Sequence, residues 1–143
     1  MLPVKRQIVR LSSDDRRRKI AEAALSCLQE VGHSGLTARR VAATAGMSLG
    51  HITYHFKDMA QVLTEAFDLA AQRVQAAGQA ALAQSGGTAA ERLDRYLRAG
   101  FDSTLMTPSQ LRLRVDMWSA ALMRPEVAQI ERDLYTAQRA TIE

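Results

Sequence analysis

The sequence predicts an all-α protein, an N-terminal three-helix module followed by a second helical unit. Three observations predict it. Apolar residues recur at spacings of three and four through most of the 143 residues, the period of an amphipathic helix, and β-branched runs that would mark strands are missing. Ser, Thr and Asp stand ahead of these stretches and Gly after several of them, as helix ends require. Charge is also divided along the chain. Met1 to Lys57 carries ten basic and four acidic residues, a net +6, whereas Asp58 to Glu143 carries nine and eleven, a net −2. A basic head on a slightly acidic body suggests a polyanion contact in the first part and another task in the second.

The first helix is expected to start near Ser13-Asp14-Asp15, an acidic beginning suited to the helix dipole. Ile20, Ala24, Cys27, Leu28 and Val31 then share one face, and Gly32 ends it. Thr37 is placed to cap a short second helix, Ala38 to Ala45, with Val41, Ala42 and Ala45 facing inward. Gly46 breaks it. Ser48 is placed to cap a third helix over Leu49 to His55, with Ile52 and Phe56 as core residues. A long fourth helix of about 25 residues follows Lys57-Asp58, its apolar positions running from Val62 and Leu63 through Phe67 and Val74 to Ala81. Ser85-Gly86-Gly87 is the next break, and Thr88-Ala89-Ala90-Glu91 fits a capping box. The inner face of the helix it opens is read as Leu93, Tyr96, Leu97, Phe101 and Leu105, up to an interruption at Thr107-Pro108-Ser109. The next helix is read with Leu111, Val115, Trp118 and Leu122 inward and is stopped by Pro125. The last carries Val127, Ile130 and Leu134 and is still running at Ile142-Glu143.

Composition narrows the function. With 47% hydrophobic residues the chain can build one compact core or two small ones. Its one cysteine, Cys27, excludes an intramolecular disulfide and a zinc site built on several thiolates. Cys27 is read as a small core residue. No apolar run approaches the roughly 18 residues that span a bilayer, and no apolar stretch follows the basic N-terminal residues. A reduced, cytoplasmic protein without membrane contact is therefore expected. There is no glycine-rich phosphate loop, no serine-nucleophile motif and no paired carboxylate with an evident cleft. An enzyme would have to draw on Asp102, Asp116 and Tyr135 without a motif to support them, so no catalytic residue and no cofactor is expected. His33, His51 and His55 lack the neighbouring acid or thiol that a metal site would need. Arg112 and Asp116, four apart, are read as a surface pair.

The pair Thr37–Ala45 and Ser48–Phe56, joined at Gly46-Met47, has the layout of a helix-turn-helix motif. A glycine at the turn permits the left-handed backbone that lets the helices cross steeply. The second helix of such a pair can enter a major groove about 12 Å wide. Its outward side chains are read as Leu49, His51, Thr53, Tyr54 and His55, several of them able to bond base edges or phosphates. Arg39 opens the preceding helix within reach of a guanine edge or a phosphate. Of Arg16, Arg17, Arg18 and Lys19, two are assigned to a solvated face and the others to the neighbourhood of the phosphate backbone. The arm over residues 1–12, with Lys5, Arg6 and Arg10, is read as flexible, adding non-specific affinity or solubility.

The stretch from Arg16 to Phe67 resembles the DNA-binding domain of TetR-family transcriptional regulators. The likeness is carried by Ile20-Ala21-Glu22-Ala23-Ala24-Leu25, by Val31-Gly32, by Gly35-Leu36-Thr37-Ala38-Arg39-Arg40-Val41-Ala42 and by Ala45-Gly46-Met47-Ser48-Leu49-Gly50-His51-Ile52. It closes with Tyr54-His55-Phe56-Lys57 and Val62-Leu63. The resemblance implies a bacterial repressor that binds a palindromic double-stranded DNA operator as a homodimer and releases it when a small-molecule effector binds the C-terminal helices. By position it assigns DNA contacts to Thr37 and Arg39, to Ser48, which also caps the third helix, to Leu49, His51, Thr53, Tyr54 and His55, and to Lys57. Thr53 and Met59 depart from the pattern, standing where a phosphate-binding Tyr and Lys are common. Each missing phosphate contact flattens the salt dependence of binding by about 0.9 units of log–log slope.

Arg92-Leu93, Phe101-Asp102 and Trp118 followed by Pro125 resemble the C-terminal part of the BetI-like branch of the same family. Tyr96, Phe101, Leu105, Met117, Trp118 and Leu122 are taken as candidate pocket residues. Trp118 suits a quaternary ammonium such as choline through cation–π attraction, although a lone tryptophan is not a cage and the branch answers to many ligands. The implied division is residues 1–12 as arm, 13–57 as the DNA-binding domain and 58–143 as a ligand-binding and dimerisation domain. Members of the family are usually longer, so a truncated chain, incomplete at its C-terminal end, is expected. The alternative reading is a helical adaptor that lacks sequence-specific DNA binding.

Overall fold

The computed structural model describes residues 12–84 and 86–142. Most of the basic arm expected over residues 1–12 lies outside the described residues. Among the described residues seven α-helices follow one another: α1 Ser13–Val31, α2 Ala38–Ala45, α3 Leu49–His55, α4 Met59–Ala83, α5 Ala89–Ala99, α6 Pro108–Met123 and α7 Pro125–Ile142. A 3-10 turn, His33–Gly35, links the first two. Among the described residues no helix is long and apolar enough to cross a membrane.

Local chemistry sets most of the boundaries. The cap of α1 is Ser12, one residue ahead of the acidic cluster read as its start. Its hydroxyl accepts from Asp15 N–H at 3.0 Å while the Asp15 carboxylate takes the Ser12 N–H at 3.1 Å, a reciprocal capping box. That carboxyl is held below its ordinary range chiefly by the Ser12 hydroxyl. Thr88 and Glu91 repeat the device at α5, where the Thr88 N–H holds the Glu91 carboxyl low. Thr107 and Pro108 open α6, proline occupying a first-turn position that has no use for an N–H.

The N-terminal helices bury the faces that periodicity predicts. Ile20, Ala24, Cys27 and Leu28 of α1 meet Val41, Ala42 and Ala45 of α2, Ile52, Phe56, and Val62, Leu63, Ala66 and Phe67 of α4. The same core continues through Leu69 to Leu113 and Met117 of α6 and Val127 of α7. The two units therefore share one apolar interior. Helix α1 packs on α2, α4 and α6, and α4 packs on α5 and α7.

The C-terminal helices differ from the reading. Helix α5 ends at Ala99, and irregular turns carry Phe101 and Leu105. Helix α6 is turned relative to its predicted face: Leu113 and Met117 are buried, while Leu111, Val115, Trp118 and Leu122 are exposed, Leu122 to 86%. It is apolar on both sides, so periodicity does not select which side meets α1 and α7. Arg112 and Asp116 do not pair with each other on the surface. Arg112 donates to the carbonyl of Glu30 at 3.3 Å, and Asp116 accepts from the N–H of His33 at 2.9 Å. Both therefore tie α6 to the end of α1.

Candidate nucleic-acid interface and internal cavity

The turn between α2 and α3 is built on Gly46, which adopts φ 64° and ψ 36°. Its N–H returns to Ala43, and the Met47 N–H to Ala42 at 2.9 Å, closing α2 in a left-handed turn. At the other end the Thr37 hydroxyl caps α2 through Arg40 N–H at 3.2 Å. With Ile52 and Phe56 anchored in the core, α3 presents Leu49, His51, Thr53 and Tyr54 to solvent, Tyr54 to 82%. Thr37, Arg39, Arg40, Ser48 and Lys57 are exposed as well. The described part of this unit thus gathers cations, hydroxyls and an imidazole on α2, α3 and the residues just after α3.

Three details change the assignment of roles. Ser48 occupies the capping position of α3, but its hydroxyl bonds no backbone N–H there; it lies 3.0 Å from Nδ1 of His51. It thereby orients that ring and leaves Nε2 for an outside partner. Thr53 donates its hydroxyl to the Gly50 carbonyl at 3.1 Å, so its oxygen offers an acceptor. His55 does not face outward. It is 7% exposed, and its Nε2 is buried without a partner among the described residues. Three residues beyond Ile52 is the same side of a helix, so His55 belongs to the packed face and is no direct contact for DNA.

Arg17 is the element that periodicity missed. Its guanidinium donates to the His55 carbonyl and to Glu65, and lies 4.4 Å from the centre of the Phe56 ring. It holds the C-terminal end of α3 against α1 and α4 and is not free for phosphate. Its neighbour Arg18 pairs with Glu22 at 3.4 Å.

A second feature lies on the other side of α1. A cavity of about 450 Å³ is lined from α4, α5, α6 and α7, and α1 contributes Leu25 and Gln29. Of the candidate pocket residues, Tyr96, Phe101, Leu105, Met117 and Trp118 line it, and Leu122 lies outside it. That volume falls in the range of small-ligand sites, about 300–1,000 Å³. Tyr96 lies directly against the buried Gly78, where a Cβ would stand 2.7 Å from its ring. Burial raises the Tyr96 hydroxyl above its ordinary value.

The wall also holds a residue the sequence reading passed over. Glu131 is 8% exposed, and its Oε1 is buried without a partner among the described residues. Burial pushes its carboxyl up, and the indole N–H of Trp118 and the charge of Arg114 draw it part of the way back. The signal was legible as an acid four residues after Val127, on the apolar stripe of α7. Arg73 and Arg114 line the same space.

A three-helix head carrying a helix-turn-helix is thus continuous with a helical body that bears a part-open cavity. Residues 20–66 match the family of bacterial regulatory proteins, tetR family. The chain is 28% identical over 125 residues to the HTH-type transcriptional regulator BetI of Cronobacter sakazakii, covering 82% of this chain and 58% of that protein. A solved structure described as a transcriptional regulator from Pseudomonas aeruginosa is 27% identical, with a TM-score of 0.76 over 96% of this chain and 66% of that one. Another, from Saccharomonospora viridis and in complex with choline, has a TM-score of 0.77 at 22% identity over 90% of this chain and 66% of that one, a likeness of fold. Residues 20–66 are thus similar to the tetR family, and the chain has BetI-like relatives, spanning 58% of the Cronobacter protein.

Proposed function

We propose that the protein is a cytoplasmic transcriptional regulator, a repressor that binds a palindromic operator as a homodimer and leaves it when a small molecule occupies the cavity. The outward face of α3, with Leu49, His51, Thr53 and Tyr54 beside Thr37, Arg39, Ser48 and Lys57, carries the DNA half of this reading. In a dimer of such heads the two recognition helices must meet successive major grooves about 34 Å apart. A small change in their separation therefore costs specific contacts.

The position of the cavity supports the ligand half. Leu25 and Gln29 belong to α1, the first helix of the head, yet they line the cavity with residues of α4 to α7. An occupant would touch the helix that carries α2 and α3. It would shift the operator equilibrium by the ratio of its affinities for the free and bound arrangements. The choline seen in the Saccharomonospora structure is consistent with a small organic effector. The proposed role needs no catalytic group and no cofactor.

The test is a gel shift with the palindromic segment upstream of the gene, against random DNA of equal length in moderate salt. Wild type should prefer the palindrome, and the double variant Arg39→Ala, Tyr54→Ala should lose that preference while melting normally. Equal binding to both DNAs by wild type would remove the repressor reading and leave a helical adaptor.

A further inference from the structure

The cavity contains an unmet hydrogen-bond requirement. Oε1 of Glu131 is buried without a partner among the described residues, on a side chain that is 8% exposed and lines the cavity. Buried acceptors in folded proteins are nearly always satisfied, by protein, water or ligand. Glu131 has no ion pair among the described residues, although Arg114 reaches it through its field. The indole N–H of Trp118 acts on the same carboxyl. Gln29, Gln110 and Gln138 also line the space, and Tyr96, Phe101 and Met117 supply much of its apolar wall.

We infer that the Glu131 carboxylate is the recognition point for a protonated amine, whose N–H⁺ donates to Oε1 while an apolar body of about one ring lies against Trp118, Tyr96 and Met117. This rests on the reading of the cavity as an effector site. The N–H is the decisive group. A quaternary ammonium supplies charge and cation–π attraction but no donor, so it leaves Oε1 bare. A carboxylate ligand would bury a second negative charge beside Glu131. Arg73 and Arg114 border the same space and oppose a cation, but Arg73 is exposed and Arg114 half-buried. Water screens charges so placed more than the buried carboxylate. Tyr96 and Tyr135 are the other titratable groups on the wall.

Trp118 is the single tryptophan of the chain and reports occupancy by its emission. Four probes of similar size are titrated at neutral pH: benzyldimethylamine, benzyltrimethylammonium, 3-phenylpropionate and isobutylbenzene. The protonated tertiary amine should bind about tenfold more tightly than any of the others, the size of effect set by leaving a buried acceptor unmade. Glu131→Gln should bind it about tenfold more weakly and erase its advantage over benzyltrimethylammonium, with a cooperative melt showing that the fold is kept. Arg114→Gln, which removes the opposing charge, should tighten it. Equal binding of the two cations, best binding of the acid, or an undiminished preference in Glu131→Gln overturns the inference while leaving a ligand cavity in place. Absence of any emission change or thermal shift with all four probes at millimolar concentration overturns both the inference and the effector reading. Operator binding, scored separately by gel shift, stands or falls on its own.

Discussion

The carboxylate of Asp116, midway along α6, accepts a hydrogen bond at 2.9 Å from the backbone N–H of His33, just past the end of α1. The bond crosses from the cavity-bearing body to the helix-turn-helix head. Gly32 lies between them with φ 72°, and a Cβ there would stand 3.4 Å from Arg112 and 3.5 Å from Asp116. An occupant that moves α6 must carry or break this link. Asp116→Ala should cost about 1 kcal/mol of stability, the net worth of one such bond. It should leave operator affinity of the ligand-free protein within about twofold and reduce the ligand's effect on that affinity severalfold. Fluorescence anisotropy with operator DNA, with and without an effector, measures both quantities. An unchanged ligand effect would assign the coupling to the shared apolar core instead.

Arg17 sets the pose of α3 through the His55 carbonyl, the Glu65 carboxylate and the Phe56 ring. Three partners on two other elements make it costly to replace. Arg17→Ala should lose about 1–3 kcal/mol, seen as a melting point about 5 °C or more lower. It should weaken operator binding without changing the salt slope, because no phosphate contact is removed. Arg17→Lys keeps the charge but not the planar fork, so recovery should be partial.

Much of this was legible in the sequence where one local signal decided the outcome. Gly46, Thr37 and the Ile52–Phe56 spacing settle α2, the turn and α3, because turn and cap chemistry act over a few residues. Helix α6 was not legible in the same way. Leu113 and Met117 form one apolar side and Leu111, Val115 and Trp118 another, and the choice between them is made by α1 and α7. His55 and Glu131 are the opposite case. Their types argue for exposure while their spacing from Ile52 and Val127 argues for burial, and the spacing prevails in both. Arg17 lies 38 and 48 residues from its hydrogen-bonding partners, a separation that helical periodicity does not register.

The contact of Gly78 with Tyr96 fixes one wall of the cavity. A methyl group at Gly78 would stand 2.7 Å from the ring, closer than carbon atoms pack. The ring must then swing away. Gly78→Ala should destabilise by about 1–3 kcal/mol through overpacking, despite the higher helix propensity of alanine. It should also change the affinity of any cavity ligand, measured by Trp118 emission, while DNA affinity without ligand is unaltered.

Lys57 is exposed directly after α3. If it meets a phosphate, Lys57→Ala should weaken binding to specific and random DNA alike and lower the log–log salt slope by about 0.9. Replacing Met59, at the start of α4, with lysine should raise the slope by the same amount. Titrations from low to moderate salt give the slopes directly. A selective loss of palindrome binding in Lys57→Ala would identify a base contact instead.

Glu131 gives a pH dependence of definite sign. Burial raises its carboxyl above the ordinary value of 4.5. The folded protein therefore holds the proton more tightly than the unfolded chain. Its contribution to stability is full below the unfolded value and is lost as pH rises through the folded one. Glutamine imitates the protonated form. In the ligand-free protein, Glu131→Gln should melt higher than wild type at about pH 7.5, and the gain should shrink towards zero at about pH 4. Asp15 and Glu91 act in the opposite direction. Their capping bonds lower their carboxyls, so the stability they give is lost as pH falls. Both proteins should thus melt lower in acid, and the difference between them isolates Glu131. Arg73, Arg114, Tyr96 and Tyr135 border the same cavity and are unaltered in the variant. A variant that melts lower than wild type at neutral pH would mean that the ionised carboxylate is already stabilised where it sits, with no vacancy for an amine to fill.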